Sequence, residues 1–192
     1  MKNVFLTCFF LIAIKSNGQF VAEKLVHDGK NSAIHKRHSY PTPPRTNNSL
    51  FYIQRSNNSS AIVYDGTRDK NGKINADDPV HVYWLSYSQD STKNELNYIQ
   101  RKLAYGVHVY TTSEKDEFDI SLVSYKKKKI HIFENDKGEM QANMVINGKM
   151  SRFRNVYVEI AKNFFIPEIA YVEVFGEDLE TGKEVYEKII PN

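Results

Sequence analysis

Leu50-Phe51-Tyr52-Ile53-Gln54-Arg55, Ser56-Asn57-Asn58-Ser59-Ser60 and Ala61-Ile62-Val63-Tyr64-Asp65 read in succession as strand, turn and strand. The two outer runs are rich in β-branched and aromatic residues, and a Ser/Asn cluster is what a short connection uses. The pattern continues toward the C-terminus. Residues 79–87 put Val80, Val82 and Trp84 on one face and His81, Tyr83, Leu85 and Tyr87 on the other. Large groups on both faces predict a central strand covered on both sides. Further runs at 107–111, 118–125, 130–133, 140–146, 153–161, 169–175 and 184–190 are separated by turn signals. Asn147-Gly148 is the strongest of these, because both residues tolerate positive φ. Consecutive hairpins predict a mainly β fold, an antiparallel β-sandwich or partly open barrel of about ten strands.

One segment breaks the period. Residues 91–104 contain good helix formers, with Leu96, Ile99 and Leu103 at i, i+3 and i+7. Thr92 and Glu95 have capping-box spacing, and Gly106 is a stop. One α-helix packing its apolar face on the sheet is expected.

The N-terminus concerns compartment. Met1-Lys2-Asn3 is followed by an apolar stretch from Val4 to Ile14 and by Lys15-Ser16-Asn17-Gly18-Gln19. A membrane-spanning helix needs about 20 apolar residues, so this shorter stretch reads as the core of a signal peptide, residues 1–18, cut before Gln19. Residues 19–48 form an irregular arm containing Tyr40-Pro41-Thr42-Pro43-Pro44, and residues 49–192 a single β-domain. The chain's one cysteine, Cys8, would leave with the signal. The exported protein would then have no thiol nucleophile, thiolate metal site or disulfide, and would depend on its core. Lys2 and Lys15 would leave too, with no acid, removing most of the formal net charge of +3. What remains gives no case for nucleic acid, and no membrane span is expected after cleavage.

Candidate chemistry is sparse. The stretch 65–78 partly follows the order of a calcium loop, with Asp69, Asn71 and Gly72 in place, but Thr67 and Asp78 stand where Asp and Glu belong. Asp, Asn and Gly are also ordinary loop residues. His81, His108 and His131 lie on three strands, and three imidazoles suffice for zinc only if they converge. Lys126-Lys127-Lys128-Lys129 spans a turn and is solvated there, or meets anionic headgroups. No Gly-x-Ser-x-Gly elbow, His-Glu-x-x-His or phosphate-binding glycine loop occurs. No catalytic residue, metal ligand or cofactor is assigned.

Arg55 stands apart. It follows Phe51 and Ile53 on one strand face and precedes Asn57-Asn58. A cation closing an inward-facing row needs a partner, because an unpaired buried charge is costly. It is either a structural clamp on an acid or on carbonyls, or an anchor for an anion. Among the 12 tyrosines and the single tryptophan, exposed rings can form a binding platform, although Tyr also favours strands. The candidate binding residues are Arg55, Asn57, Asn58, Tyr64, His81, Trp84, Tyr105 and His108.

The stretch Leu50 to Tyr64, with Pro79-Val80-His81-Val82-Tyr83-Trp84 and Ala104-Tyr105-Gly106-Val107, resembles a family of exported Gram-negative proteins. It is known as a domain of unknown function (four-eight-three-three). The likeness runs from about Leu50 to the C-terminus. One departure lies at Ser60-Ala61, where Asn or Thr is usual. The resemblance implies an exported compartment and one shared domain, and carries no catalytic residue. The expected function is an exported non-catalytic domain that binds a ligand or protein partner in the cell envelope. The alternatives are a small hydrolase of glycan or lipid, and a lipid or small-molecule carrier with an open barrel interior.

Overall fold

The computed structural model describes residues 21–22, 41–87, 91–161 and 168–191. The proposed signal peptide and most of the arm lie outside them. The elements are β1 (Val21–Ala22), β2 (Ser49–Arg55), β3 (Asn58–Gly66), β4 (Val80–Ser86), β5 (Thr92–Glu95), α1 (Tyr98–Gln100), β6 (Val107–Thr111), β7 (Phe118–Leu122), β8 (Tyr125–Glu134), β9 (Met140–Ile146), β10 (Lys149–Ala161), β11 (Glu168–Asp178) and β12 (Glu184–Ile190).

The fold is mainly β, a single sheet curled into an open half-barrel. Of the two architectures expected, the partly open barrel is the one this sheet approaches. The main path runs β5-β4-β3-β2-β10-β9-β8-β7-β6, with β11 and β12 branching from β10. Strand β10 is the hub. Along one edge it pairs with β11 throughout; on the other it pairs first with β9 at Lys149–Arg152 and then with β2 at Asn155–Val158. The β2–β10 pair is parallel, a departure from the all-antiparallel expectation. Hairpin reasoning sees only neighbours in sequence, whereas these strands are about a hundred residues apart and need no tight turn. The two strands that end the path, β5 and β6, are consecutive in the chain, so residues 96–106 cross the gap between the sheet's two edges.

That crossing corrects the helix reading. Thr92 and Glu95 belong to β5, paired with β4. The capping box lies five residues later: Asn97 accepts from the Gln100 amide at 2.9 Å, and Gln100 Oε1 accepts from the Asn97 amide at 3.0 Å. The single α turn of α1 passes into a π turn over Arg101–Tyr105, closed by the Gly106 amide donating to the Arg101 carbonyl at 3.0 Å. Leu96 is buried, but Ile99 and Leu103 are 43% and 49% exposed and do not pack into the sheet. The lysine run is corrected as well. It lies inside β8, and the turn is at residues 123–124. Lys128 points inward to Glu187, while Lys129 stands over the Tyr110 ring.

The concave side of the sheet is filled at one end. Phe51 stacks on Tyr64 with centroids 4.3 Å apart and meets Phe153 at 4.5 Å. Ile62, Val80, Ile120, Ile132 and Ile146 complete this layer, each almost wholly buried. Each such side chain contributes about 1.5–3 kcal/mol by leaving water. The loop between β3 and β4 stoppers this end. Its Ile74 is buried, and Arg68 donates to Asn48 Oδ1, Gly72 O and Gly138 O at 3.0, 2.6 and 2.8 Å and pairs with Glu134. Asp69 in this loop accepts from the amides of Asn71 and Lys73, which is turn chemistry. On the convex side, Ala61, Val63, Tyr83 and Leu85 form a second cluster with Tyr52 and Tyr87, so β4 is covered on both faces. Gln54 donates to the Pro41 carbonyl at 2.9 Å, which lays residues 41–43 against β2.

Hairpin 147–148 has the positive φ values expected of it, 49° and 79°. Asp178 organises the turn into β12. Lys149 Nζ donates to it at 2.8 Å, as do the amides of Glu180 and Thr181 at 2.9 and 3.3 Å. These bonds, the lysine first, hold its carboxyl down at about 2. The unfolded carboxyl protonates at higher pH, so this stabilisation is complete above the ordinary carboxylate range and is lost as pH falls from there through about 2. The gap in melting temperature between the native chain and Asp178→Asn is therefore widest at neutral pH and closes toward pH 2, as a calorimetric pH series will measure.

Candidate functional site

The other end of the half-barrel is open. There the concave faces of the same strands line a cavity of about 820 Å³. Its walls are apolar: Ile53, Leu122, Ile130, Met144, Phe153, Val156, Val158, Val172, Val174 and Ile189, with Ile99 and Leu103 of the bridging segment over the opening. The period of two explains the lining. Phe51, Ile53 and Arg55 of β2 point the same way, as do Val80, Val82 and Trp84 of β4. Toward the filled end these rows interlock. Toward the open end they line the cavity.

Arg55 closes the β2 row at the cavity wall. Its Nη1 donates to the Tyr105 hydroxyl at 3.0 Å. Its guanidinium carbon lies 4.9 Å from the Trp84 ring centre and 5.8 Å from that of Tyr105. Trp84 and Tyr105 meet edge to face at 5.3 Å. The faces of aromatic rings attract a cation by about 0.5–2 kcal/mol each, which seats Arg55 without cancelling its charge. Burial pushes the Tyr105 phenol up, and Arg55 draws it back only in part, so the hydroxyl that Arg55 touches is neutral at physiological pH. Arg55 Nε is buried and donates to nothing among the described residues. Neither the acid nor the carbonyl clamp expected of Arg55 is found among these residues.

Tyr64 supports this cluster from beneath. It is fully buried, and its hydroxyl donates to the Tyr105 carbonyl at 2.8 Å. Burial, reinforced by Tyr105, holds its phenol well above the ordinary range, so it remains a donor. The π turn then sets Tyr105's position at the end of the bridging segment.

Of the candidate binding residues, Arg55, Asn57, Asn58, Trp84 and Tyr105 share the cavity wall, and Tyr64 lies behind it. His81 and His108 are not part of the lining. His81 bonds Glu95 at 2.8 Å, and His131 lies between Glu117 and Asp119 at 2.9 and 3.0 Å. Among the described residues these side chains form no metal-binding group. Sequence reasoning missed the apolar wall: it puts Ile99 and Leu103 on a helix face packed against the sheet, and strand period alone does not show which inward residues line a cavity.

The cavity can hold an apolar body and present one cation to it. It brings no nucleophile and histidine together at its wall among the described residues. No helix among the described residues is long and apolar enough to cross a membrane. No curated protein and no solved structure matches the chain. A family model matches residues 51–188, which include β3 to β11 and the whole cavity cluster from Arg55 to Tyr105. The chain therefore belongs to the family described as Domain of unknown function (DUF4833).

Proposed function

We propose that this is an exported, non-catalytic binding domain that holds a small apolar or amphipathic molecule in the open end of its half-barrel, as a carrier in the cell envelope would. The carrying observation is the cavity of about 820 Å³ with its apolar wall. That size falls within the roughly 300–1,000 Å³ of small-molecule sites, whereas ordinary protein cores leave few voids larger than a water. Strand residues that interlock at the filled end are left unopposed at this one. Burying an alkyl chain there gains about 0.8 kcal/mol per methylene. Compartment is supported by the signal-like residues 1–18, with the short charged start, apolar stretch and small residues before Gln19.

The hydrolase alternative loses ground because the described histidines, His81, His108 and His131, are not part of the cavity lining. A thermal-shift series of the native chain against long-chain alcohols, acids and esters tests the carrier reading. A ligand at about a hundred times its Kd adds roughly 2.7 kcal/mol of stability. The shift is expected for long chains, and Val158→Phe, which fills the cavity, is expected to abolish it. Absence of any shift across the series overturns the reading.

A further inference from the structure

We infer that the ligand of this cavity carries a single carboxylate at one end of its alkyl chain, and that the carboxylate sits on Arg55. This rests on the cavity holding a ligand at all. Three observations converge on Arg55. Its charge is seated on the Trp84 and Tyr105 rings instead of on an acid. Among the described residues its one hydrogen bond goes to a neutral phenol. Its Nε–H is buried and unused among the described residues. A buried donor left unpaired is costly, and a guanidinium offers parallel N–H groups that match a carboxylate's two oxygens.

The surrounding charges favour one head group over another. Glu95 also lines the cavity, but His81 and Arg101 engage it at 2.8 and 3.5 Å. Lys128 lines the far wall and is paired with Glu187. Arg55 is thus the one cation of the lining without a carboxylate among the described residues. It balances one negative charge. A doubly charged phosphate monoester would leave its second charge unmatched beside an apolar wall, at a cost that a monoanion avoids.

Trp84 is the only tryptophan of the chain and touches Arg55, so its fluorescence reads head-group binding directly. The experiment titrates the native chain with hexadecanoic acid, its methyl ester and hexadecyl phosphate, and repeats the first two with Arg55→Met. The acid is expected to bind at least about tenfold more tightly than the ester, the effect of one charge-assisted hydrogen bond. In Arg55→Met the acid should fall to the ester's affinity while the ester's own affinity holds, which also shows that the variant is folded. Equal binding of acid and ester to the native chain overturns the inference and leaves the cavity reading standing. So does an acid preference that survives in Arg55→Met, or tighter binding of the phosphate. Failure of all three probes to bind removes the cavity reading, and the inference with it.

Discussion

Tyr64→Ala is expected to lower the free energy of unfolding by about 4 kcal/mol, in the range for deleting a buried aromatic ring. The ring stacks on Phe51 and is wholly inside the core, so its loss leaves a void that β2 and β3 cannot close without moving their pairing. A second cost comes from its hydroxyl. That group is the donor to the Tyr105 carbonyl, and its removal strands a part-buried acceptor. Tyr64→Phe isolates this part, at about 1–3 kcal/mol. The two variants differ in a further way. Phenylalanine keeps the core filled but frees the end of the bridging segment, so Tyr105 no longer holds its place beside Arg55. Urea titration gives the stability terms, and Trp84 fluorescence shows the site effect. A Tyr64→Phe variant of native stability would show that the Tyr105 carbonyl finds another donor.

Gly106→Ala is the second large effect. A β-carbon at this position would sit 2.1 Å from the Arg101 carbonyl oxygen and 3.0 Å from its carbon, both backbone atoms. The conflict cannot be relieved by rotating a side chain. Its source is the π turn, which brings the Gly106 amide onto the Arg101 carbonyl. Overpacking of this kind costs about 1–3 kcal/mol and occasionally more, and here the backbone contact puts the loss near the upper end. Unwinding the turn moves Tyr105 off Arg55 and releases the Gly106 carbonyl from the Val123 amide, which ties the segment to the turn between β7 and β8. The expected result is a lower urea midpoint together with a changed Trp84 emission. A variant whose emission is unchanged would mean that the turn adjusts locally.

Much of the fold was legible in local pattern. The alternation that placed Phe51, Ile53 and Arg55 on one face of β2 is a property of extended backbone, as are the two covered faces of β4. The turn at Asn147-Gly148 follows from φ preferences of two residues. The helix boundary was misread for a local reason as well. Thr92/Glu95 and Asn97/Gln100 both have capping spacing, and only the pairing of β5 with β4 removes the first from contention. The lysine run misled because four charges in a row resemble a turn, although β8 accommodates them by sending Lys128 to Glu187 and the outward Lys129 to Tyr110.

The site divides along the same line. The sequence by itself determined a mainly β chain in which Arg55 closes an inward row and Trp84 shares the apolar face of its own strand. Only the tertiary structure decided that these two meet, that Tyr105 joins them across fifty residues of chain, and that Arg55 is seated on aromatic rings where a clamp on an acid or on carbonyls, or an anion, was expected. It also decided that β10 exchanges β9 for β2 partway along its edge, which curls the sheet and leaves one end open. The physical reason is one of range. Strand period and turn type depend on a few adjacent residues, whereas a cavity is set by where side chains from distant strands fail to meet.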